Sequence, residues 1–334
     1  MKKLKKSQIF LIITCGAAAL FFTLVLMAGL SADNFGFGES GKERVRNNVN
    51  TRDIDPVEAE VNAVEISWLT GPVSVGVSPD SKIHVTERSA KKLDEGQRMD
   101  VSVKSGKLTV RWDNQWFRRW FNVNLGGWFG LLDKELEVLL PPDLAKNLVV
   151  LQVENTSDDL TVDGCSAEEV TASTVSGYLI LTDCTAVDYM GVNSVSGDVI
   201  LEDIAGGEEL NINTVSGGVA VTGGATQELQ VHTVSGDCQY KGTAEELCFD
   251  TVSGNMAATL GNCPENADMN SVSGGLLLYL PAGSGFTVDH SSVSGEFRSD
   301  FSMETVGGKS RCGSGEAEIK MNTTSGEMAV DRAR

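Results

Sequence analysis

The sequence predicts an all-β protein, a parallel β-solenoid (β-helix-like) of about 20-residue coils preceded by one N-terminal transmembrane helix. Three observations predict it. A Ser-Gly step recurs through the second half of the chain, apolar residues alternate on both sides of that step, and one long uncharged apolar run lies near the N-terminus.

The run comes first in the chain. Lys2, Lys3, Lys5 and Lys6 precede it, and Ile9 to Leu30 contains no charge. As a helix it measures about 33 Å, enough to cross a hydrocarbon core of about 30 Å. Cys15 lies within it. Lysines on the short N-terminal side predict a cytoplasmic N-terminus and an extracytoplasmic body, hence a single-pass protein of the cell membrane. The rival reading is a cleaved leader, with Gly29 and Ser31 flanking Leu30, but the run exceeds the usual leader core of about 7 to 15 residues. Residues 1–31 are therefore read as lysine-rich end and anchor. Residues 32–58, polar and marked by Gly36, Gly38 and Gly41, are read as a juxtamembrane stalk.

Residues 59–147 form an irregular β lead-in. Val73, Val75 and Val77 alternate after Gly71, Leu108 and Val110 follow Gly106, and Leu136, Val138 and Leu140 alternate up to Pro141 and Pro142, which mark a turn. Within this stretch lies a Trp-rich insertion carrying Trp112, Trp116, Phe117, Arg118, Arg119, Trp120, Phe121 and Trp128. Aromatic and basic side chains together suit a membrane interface or a partner contact, and equally a cap over the first coils.

Residues 148–334 hold the regular repeat. Its corners are Gly177, Gly197, Gly217, Gly236, Gly254, Gly274, Gly295, Gly315 and Gly326, with Asp158 as an earlier degenerate copy. From Gly177 to Gly315 the intervals stay between 18 and 21 residues, and the last one is 11, which reads as a shortened final coil and C-terminal cap. Positions two and four after the glycine are mostly apolar, as in Val199 and Leu201. So are positions seven and five before it, as in Leu210 and Ile212. Each repeat thus supplies two short strands, and the glycine lies between them, where a residue without Cβ tolerates positive φ. Identical columns favour stacked parallel coils over serial hairpins, because equivalent positions of neighbouring coils lie about 4.8 Å apart.

Here the chain resembles a family of bacterial surface proteins regarded as candidate adhesins and built from β-strand repeats. The matching elements are Leu139, Leu140 and Pro141, the following strand Leu148 to Val153, and the serial TVSG and SVSG steps, over about residues 59–330. The family includes accessory proteins of the Lia envelope-stress system. The resemblance implies a cell-envelope setting and transfers no catalytic or binding residue.

The chemistry-bearing residues are sparse. Net charge is −19, and the four N-terminal lysines leave −23 on the rest, which repels nucleic acid and anionic lipid and keeps an exposed body soluble. Serines before each corner glycine, and hydroxyls two residues earlier (Thr174, Ser194, Thr214, Thr233, Thr251, Ser271, Ser292), form two columns. They suit either a glycan-facing array or capping of corner backbone groups. Cys165 and Cys184 share one repeat position, which places them within disulfide reach on neighbouring coils. Cys238, Cys248, Cys263 and Cys312 share no column. His84, His232 and His290 lie in no recognisable catalytic setting, no GxSxG or HExxH occurs, and the cysteines lack zinc spacing. Asp198, Asp237, Glu296 and Glu327 follow the Ser-Gly step in some coils only. The expectation is a non-enzymatic adhesion, scaffolding or envelope-sensing module with no metal or cofactor, whose partners are the membrane and an envelope protein or glycan. A glycan-active enzyme on the same scaffold, or an accessory of an envelope-stress regulator, is the alternative.

Overall fold

A computed structural model describes residues 46–112 and 134–333. The predicted anchor Ile9 to Leu30, most of the stalk, and Trp116, Phe117, Arg118, Arg119, Trp120, Phe121 and Trp128 lie outside the described residues. Among the described residues no helix is long and apolar enough to cross a membrane. They are all-β apart from a 3-10 turn, Glu95–Gln97, and one short α-helix, Pro142–Ala145, begun by the proline pair as its fixed φ favours.

The lead-in contributes strands β1 (Asn48–Ile54), β2 (Ala63–Trp68), β3 (Val73–Val77), β4 (Ile83–Ser89), β5 (Asp100–Lys104), β6 (Lys107–Arg111) and β7 (Lys134–Leu140). The repeats begin with β8 (Leu148–Asn155) and β9 (Leu160–Asp163), then β10 (Ser166–Thr174) and β11 (Leu179–Thr182), β12 (Thr185–Ser194) and β13 (Val199–Glu202), and β14 (Ala205–Thr214). In β15 (Val219–Thr233) and β16 (Cys238–Thr251) the second strand of one coil runs on into the first strand of the next. There follow β17 (Met256–Leu260), β18 (Asn266–Ser271), β19 (Leu276–Leu280), β20 (Phe286–Ser292), β21 (Phe297–Ser299), a hairpin of β22 (Glu304–Val306) and β23 (Lys309–Cys312), then β24 (Ala317–Thr323) and β25 (Met328–Arg332).

Successive repeats pair in parallel and in register, giving a solenoid-like stack. Val170 meets Met190, Met190 meets Leu210, and Leu210 meets Leu229. On the second side Leu179 meets Val199 and Val199 meets Val219. In most coils both apolar pairs point inward and are buried, whereas the coil of β20 and β21 has exposed His290 and half-buried Phe297 and Ser299 at the equivalent positions. Removing each such side chain from water contributes roughly 1.5–3 kcal/mol, so every coil depends on neighbours above and below to cover it. Cys238 also belongs to the inward column, between Val219 and Met256.

The order of coils departs from the order of the chain at both ends. The coil of β2 and β3 lies between β8–β9 on one side and β6 and β7 on the other. Likewise the coil of β24 and β25 is inserted between β18–β19 and β20–β21. The expected shortened final coil is therefore wrong. Ala317 and Ile319 do not follow a corner at Gly315. They are first-strand residues, Ala317 in register with Phe286 and Ile319 with Val288 on one side and Ala267 on the other, and the corner of their coil is Gly326. Gly315 instead ends the β22–β23 insertion, and strand alternation, having the same period in both strands of a coil, could not tell one from the other.

The stalk expectation needs a second correction. Asn48–Ile54, read as part of that stalk, is strand β1, antiparallel to β4 in seven residue pairs. Its polar outer pattern marks it as an edge strand with one covered side.

Candidate functional site

The Ser-Gly corner proves to be structural. At Gly217 an added Cβ would lie 2.0 Å from the carbonyl oxygen of Gly197, and at Gly236 it would lie 1.9 Å from that of Gly217. The same approach recurs at Gly197, Gly254, Gly274, Gly326 and Gly295. Positive φ, the expected reason for glycine, holds in this column only at Gly177, where φ is +94°. Elsewhere the stack brings one corner's backbone into the space that a side chain would fill.

The hydroxyl columns serve the same corner. Thr233 Oγ1 accepts the Gly236 N–H at 2.9 Å, and Thr214, Thr251, Ser271, Ser292 and Thr323 do the same for their own glycines. The serines donate to the preceding corner, as Ser216 Oγ does to the Val195 carbonyl. These hydroxyls cap backbone groups and form no free array. Replacing Thr233 by valine keeps the shape but strands a buried N–H. Chemical denaturation should show a loss of about 1–3 kcal/mol, against less than about 1 kcal/mol for exposed Ser235→Ala.

The outward side chains of β12, β14 and β15 form a different array, three residues wide and three coils deep. Its rows are Tyr189, Glu209 and Glu228; Gly191, Asn211 and Gln230; and Asn193, Asn213 and His232. Asn211, only 4% exposed, is the floor. Its amide N–H groups reach Glu209 Oε1 and Gln230 Oε1, both at 3.3 Å, while its oxygen accepts from Asn213 at 2.7 Å. Asn213 also donates to Asn193, which donates to Ser173, and Gln230 donates to Glu228. The Tyr189 ring leans over Gly191, taking the volume a side chain there would occupy. Sequence reading missed this array, although aligning the repeats eight, six and four residues before each glycine would have displayed it.

One coil further on, His232 Nδ1 lies 3.1 Å from Asp250 Oδ2, and Cys248 Sγ approaches the same oxygen. Burial, then nearby Asp250 and Asp268, pushes the Cys248 thiol up to about 12. It is a protonated thiol beside a carboxylate, a poor nucleophile. Among the described residues no group of His, Cys, Asp and Glu is arranged to hold a metal ion. A shallow cavity of about 330 Å³ lies beside Gly295 and Gly326, where Arg298 is occupied by Glu327 and Asp331.

Cys165 and Cys184 do occupy neighbouring coils, since the Thr185 N–H donates to the Cys165 carbonyl. They are free thiols and not the expected disulfide. Both face the interior, and burial raises them to about 12 and about 11 respectively. Each sulfur approaches main-chain carbonyls of its own turn, Cys165 that of Asp163 and Cys184 that of Thr182.

Trp112 is likewise corrected. It is no surface contact: it is 7% exposed and packs edge-on against Trp68 at 4.9 Å. Between these rings Lys134 makes a fully buried ion pair with Glu87, 2.8 Å long.

His84 joins β4 to the edge strand. Its Nδ1 meets Asp53 on β1 at 2.8 Å and its Nε2 meets Asp80 at 3.0 Å. The Asp53 bond, then the Asp80 bond, raises the His84 pKa above its ordinary 6.5. A raised folded-state pKa adds stability that is complete below about pH 6.5 and fades as pH climbs through the raised value. Amide protection factors in Asn48–Ile54, corrected for the intrinsic pH dependence of exchange, should therefore fall across that range, and His84→Gln should remove this fall.

A model of the Toastrack DUF4097 family matches residues 61–331. No curated protein matches the chain. Among solved structures, a candidate adhesin from Parabacteroides merdae ATCC 43184 is 12% identical, with 86% of this chain and 97% of that one covered at a TM-score of 0.49. A candidate lipid-binding protein from Parabacteroides distasonis ATCC 8503 is 15% identical, with 86% and 98% covered at 0.47. A candidate cell adhesion protein from Clostridium sporogenes ATCC 15579 is 11% identical, with 86% and 99% covered at 0.26.

Proposed function

The chain belongs to the Toastrack DUF4097 family, and from that premise we propose that it is a non-enzymatic binding module of the cell envelope, anchored by Ile9 to Leu30 with its parallel β-solenoid body outside the membrane. The observation that carries the binding reading is the outward array of β12, β14 and β15. Corner hydroxyls and glycines are consumed in holding the stack together, whereas this array is ordered by its own hydrogen bonds and still faces outward. Preorganised polar groups on a rigid scaffold lower the entropic cost of binding.

Charge supports the same reading. Between Asn147 and Glu296 the only lysine or arginine is Lys241, so anionic polymers and anionic lipid are disfavoured along the repeats. Burial at Cys165 and Cys184, and burial with nearby carboxylates at Cys248, raise these thiols and make them poor nucleophiles, which favours binding over nucleophilic catalysis.

Crosslinking on intact cells tests the proposal, with a control protein carried by the same anchor. Capture of an envelope protein or polymer above that control is expected, and its absence would count against a binding module. Protease added outside should digest the body and spare the lysine end; a protected body would overturn the orientation.

A further inference from the structure

We propose that the outward array centred on Asn211 is a binding site for an uncharged, hydroxyl-rich glycan, with Tyr189 as its apolar wall and Asn193, Asn213, Gln230, Glu209 and Glu228 as its polar contacts. This rests on the binding-module reading and names the ligand class.

The chemistry of the array selects the ligand. Sugar rings present hydroxyls that both donate and accept, together with a less polar C–H face. Amides answer both hydroxyl roles and carboxylates accept from hydroxyls, while an aromatic ring covers the C–H face. These groups occur here within three adjacent strands: the ring over Gly191, two amides in the row of Asn193 and Asn213, and two carboxylates in the row of Tyr189. No lysine or arginine occupies any of the nine positions, and the one histidine, His232, is paired with Asp250. A phosphate- or carboxylate-bearing polymer would meet the Glu228 carboxylate on a face with no lysine or arginine at any of the nine positions.

The floor makes this more than a solvated sheet face. Asn211 is over nine-tenths buried and holds Glu209, Gln230 and Asn213 in place at once. Such second-tier bonding fixes the rotamers of the groups that would touch a ligand. Equivalent positions also recur along the stack at the spacing of about 4.8 Å set by parallel pairing. That spacing is close to the rise of one sugar in an extended glycan, so successive rings of a chain lying along the stack would meet successive coils.

The test uses the full chain in detergent and calorimetric titration with two linear oligosaccharides, chitohexaose and cellohexaose, beside an anionic hyaluronan fragment. Saturable binding of at least one neutral oligosaccharide is expected, with none of the anionic fragment. Tyr189→Ala should weaken it about tenfold and Asn193→Ala with Asn213→Ala by a similar factor. Thermal midpoints should stay near wild type, because these side chains lie outside the core. If a variant does not fold, saturation-dependent shifts of the Tyr189 ring signals in the wild-type protein give the same answer. No saturable binding of either neutral oligosaccharide, tighter binding of the anionic one, or full affinity in a folded Tyr189→Ala protein would overturn the site. Should Tyr189→Ala capture the same envelope partner on cells as wild type, the glycan site fails while the binding module stands. Should wild type capture nothing, the module itself fails.

Discussion

Lys134→Ala will lower the unfolding free energy by about 3–5 kcal/mol, read from chemical denaturation, because it leaves the Glu87 carboxylate buried without its cation. Both side chains of this pair are fully buried. Lys134 Nζ also donates to the carbonyls of Gln97 and Trp112, at 2.5 and 2.6 Å, and lies 4.2 Å from the centre of the Trp112 ring. Glu87 receives the Met99 N–H and the Asn50 amide. The node therefore ties β4, β7, β1 and the segment before β5 to the two tryptophans, and removing either charge disturbs all of them. Glu87→Ala should cost a similar amount. The double change Lys134→Met with Glu87→Leu should cost less than the sum of the single changes by roughly 1–3 kcal/mol, since no unpaired charge remains. It will not be neutral, because the carbonyls of Gln97 and Trp112 lose their donor. Single changes costing under about 1 kcal/mol would show that the pair is dispensable.

A second large effect is expected from two adjacent glycines that look interchangeable in the sequence. Gly217→Ala places a methyl 2.0 Å from the Gly197 carbonyl oxygen, a backbone atom held by parallel pairing on both sides of the corner. The coils cannot separate locally without breaking those ladders, so a loss of at least about 3 kcal/mol is expected, at the upper end of overpacking penalties. At Gly218 the nearest atom to an added Cβ is Asp198 Oδ1 at 3.5 Å, an ordinary contact, and φ is not positive. Gly218→Ala should be neutral or stabilise by up to about 1 kcal/mol through the unfolded chain. Thermal melts of the two variants side by side decide the matter; equal midpoints would refute the close-approach explanation of the corner.

The candidate site was less legible than the fold. Its residues lie on the polar phase of strands whose apolar phase announces the core, and polar residues on a solvent face obey no periodic rule that marks them as a set. Tyr189, Asn211 and Gln230 come from three repeats and become neighbours only through register. Trp112 misled for the opposite reason: proximity in sequence to Trp116 and Trp120 suggested a shared surface role, whereas Lys134 and Trp68, distant in the chain, draw it into the interior. The Cys165 and Cys184 expectation placed the pair on neighbouring coils, but adjacency of strands does not fix where two thiols point.

By itself the sequence determined the repeat: its length, its two strands, the inward columns, and the Thr, Ser and Gly that build each corner. Those features are local, and each coil repeats the same physical demands. Only the tertiary structure decided the order in which coils stack. The coil of β24 and β25 fits between β18–β19 and β20–β21, and that of β2 and β3 fits inside β6 and β7, because every coil offers the same apolar columns to either neighbour. Interchangeable faces leave the order open at the level of pattern, and it is fixed by the connections that must reach around the ends, the β22–β23 hairpin and the antiparallel strands β1, β4 and β5.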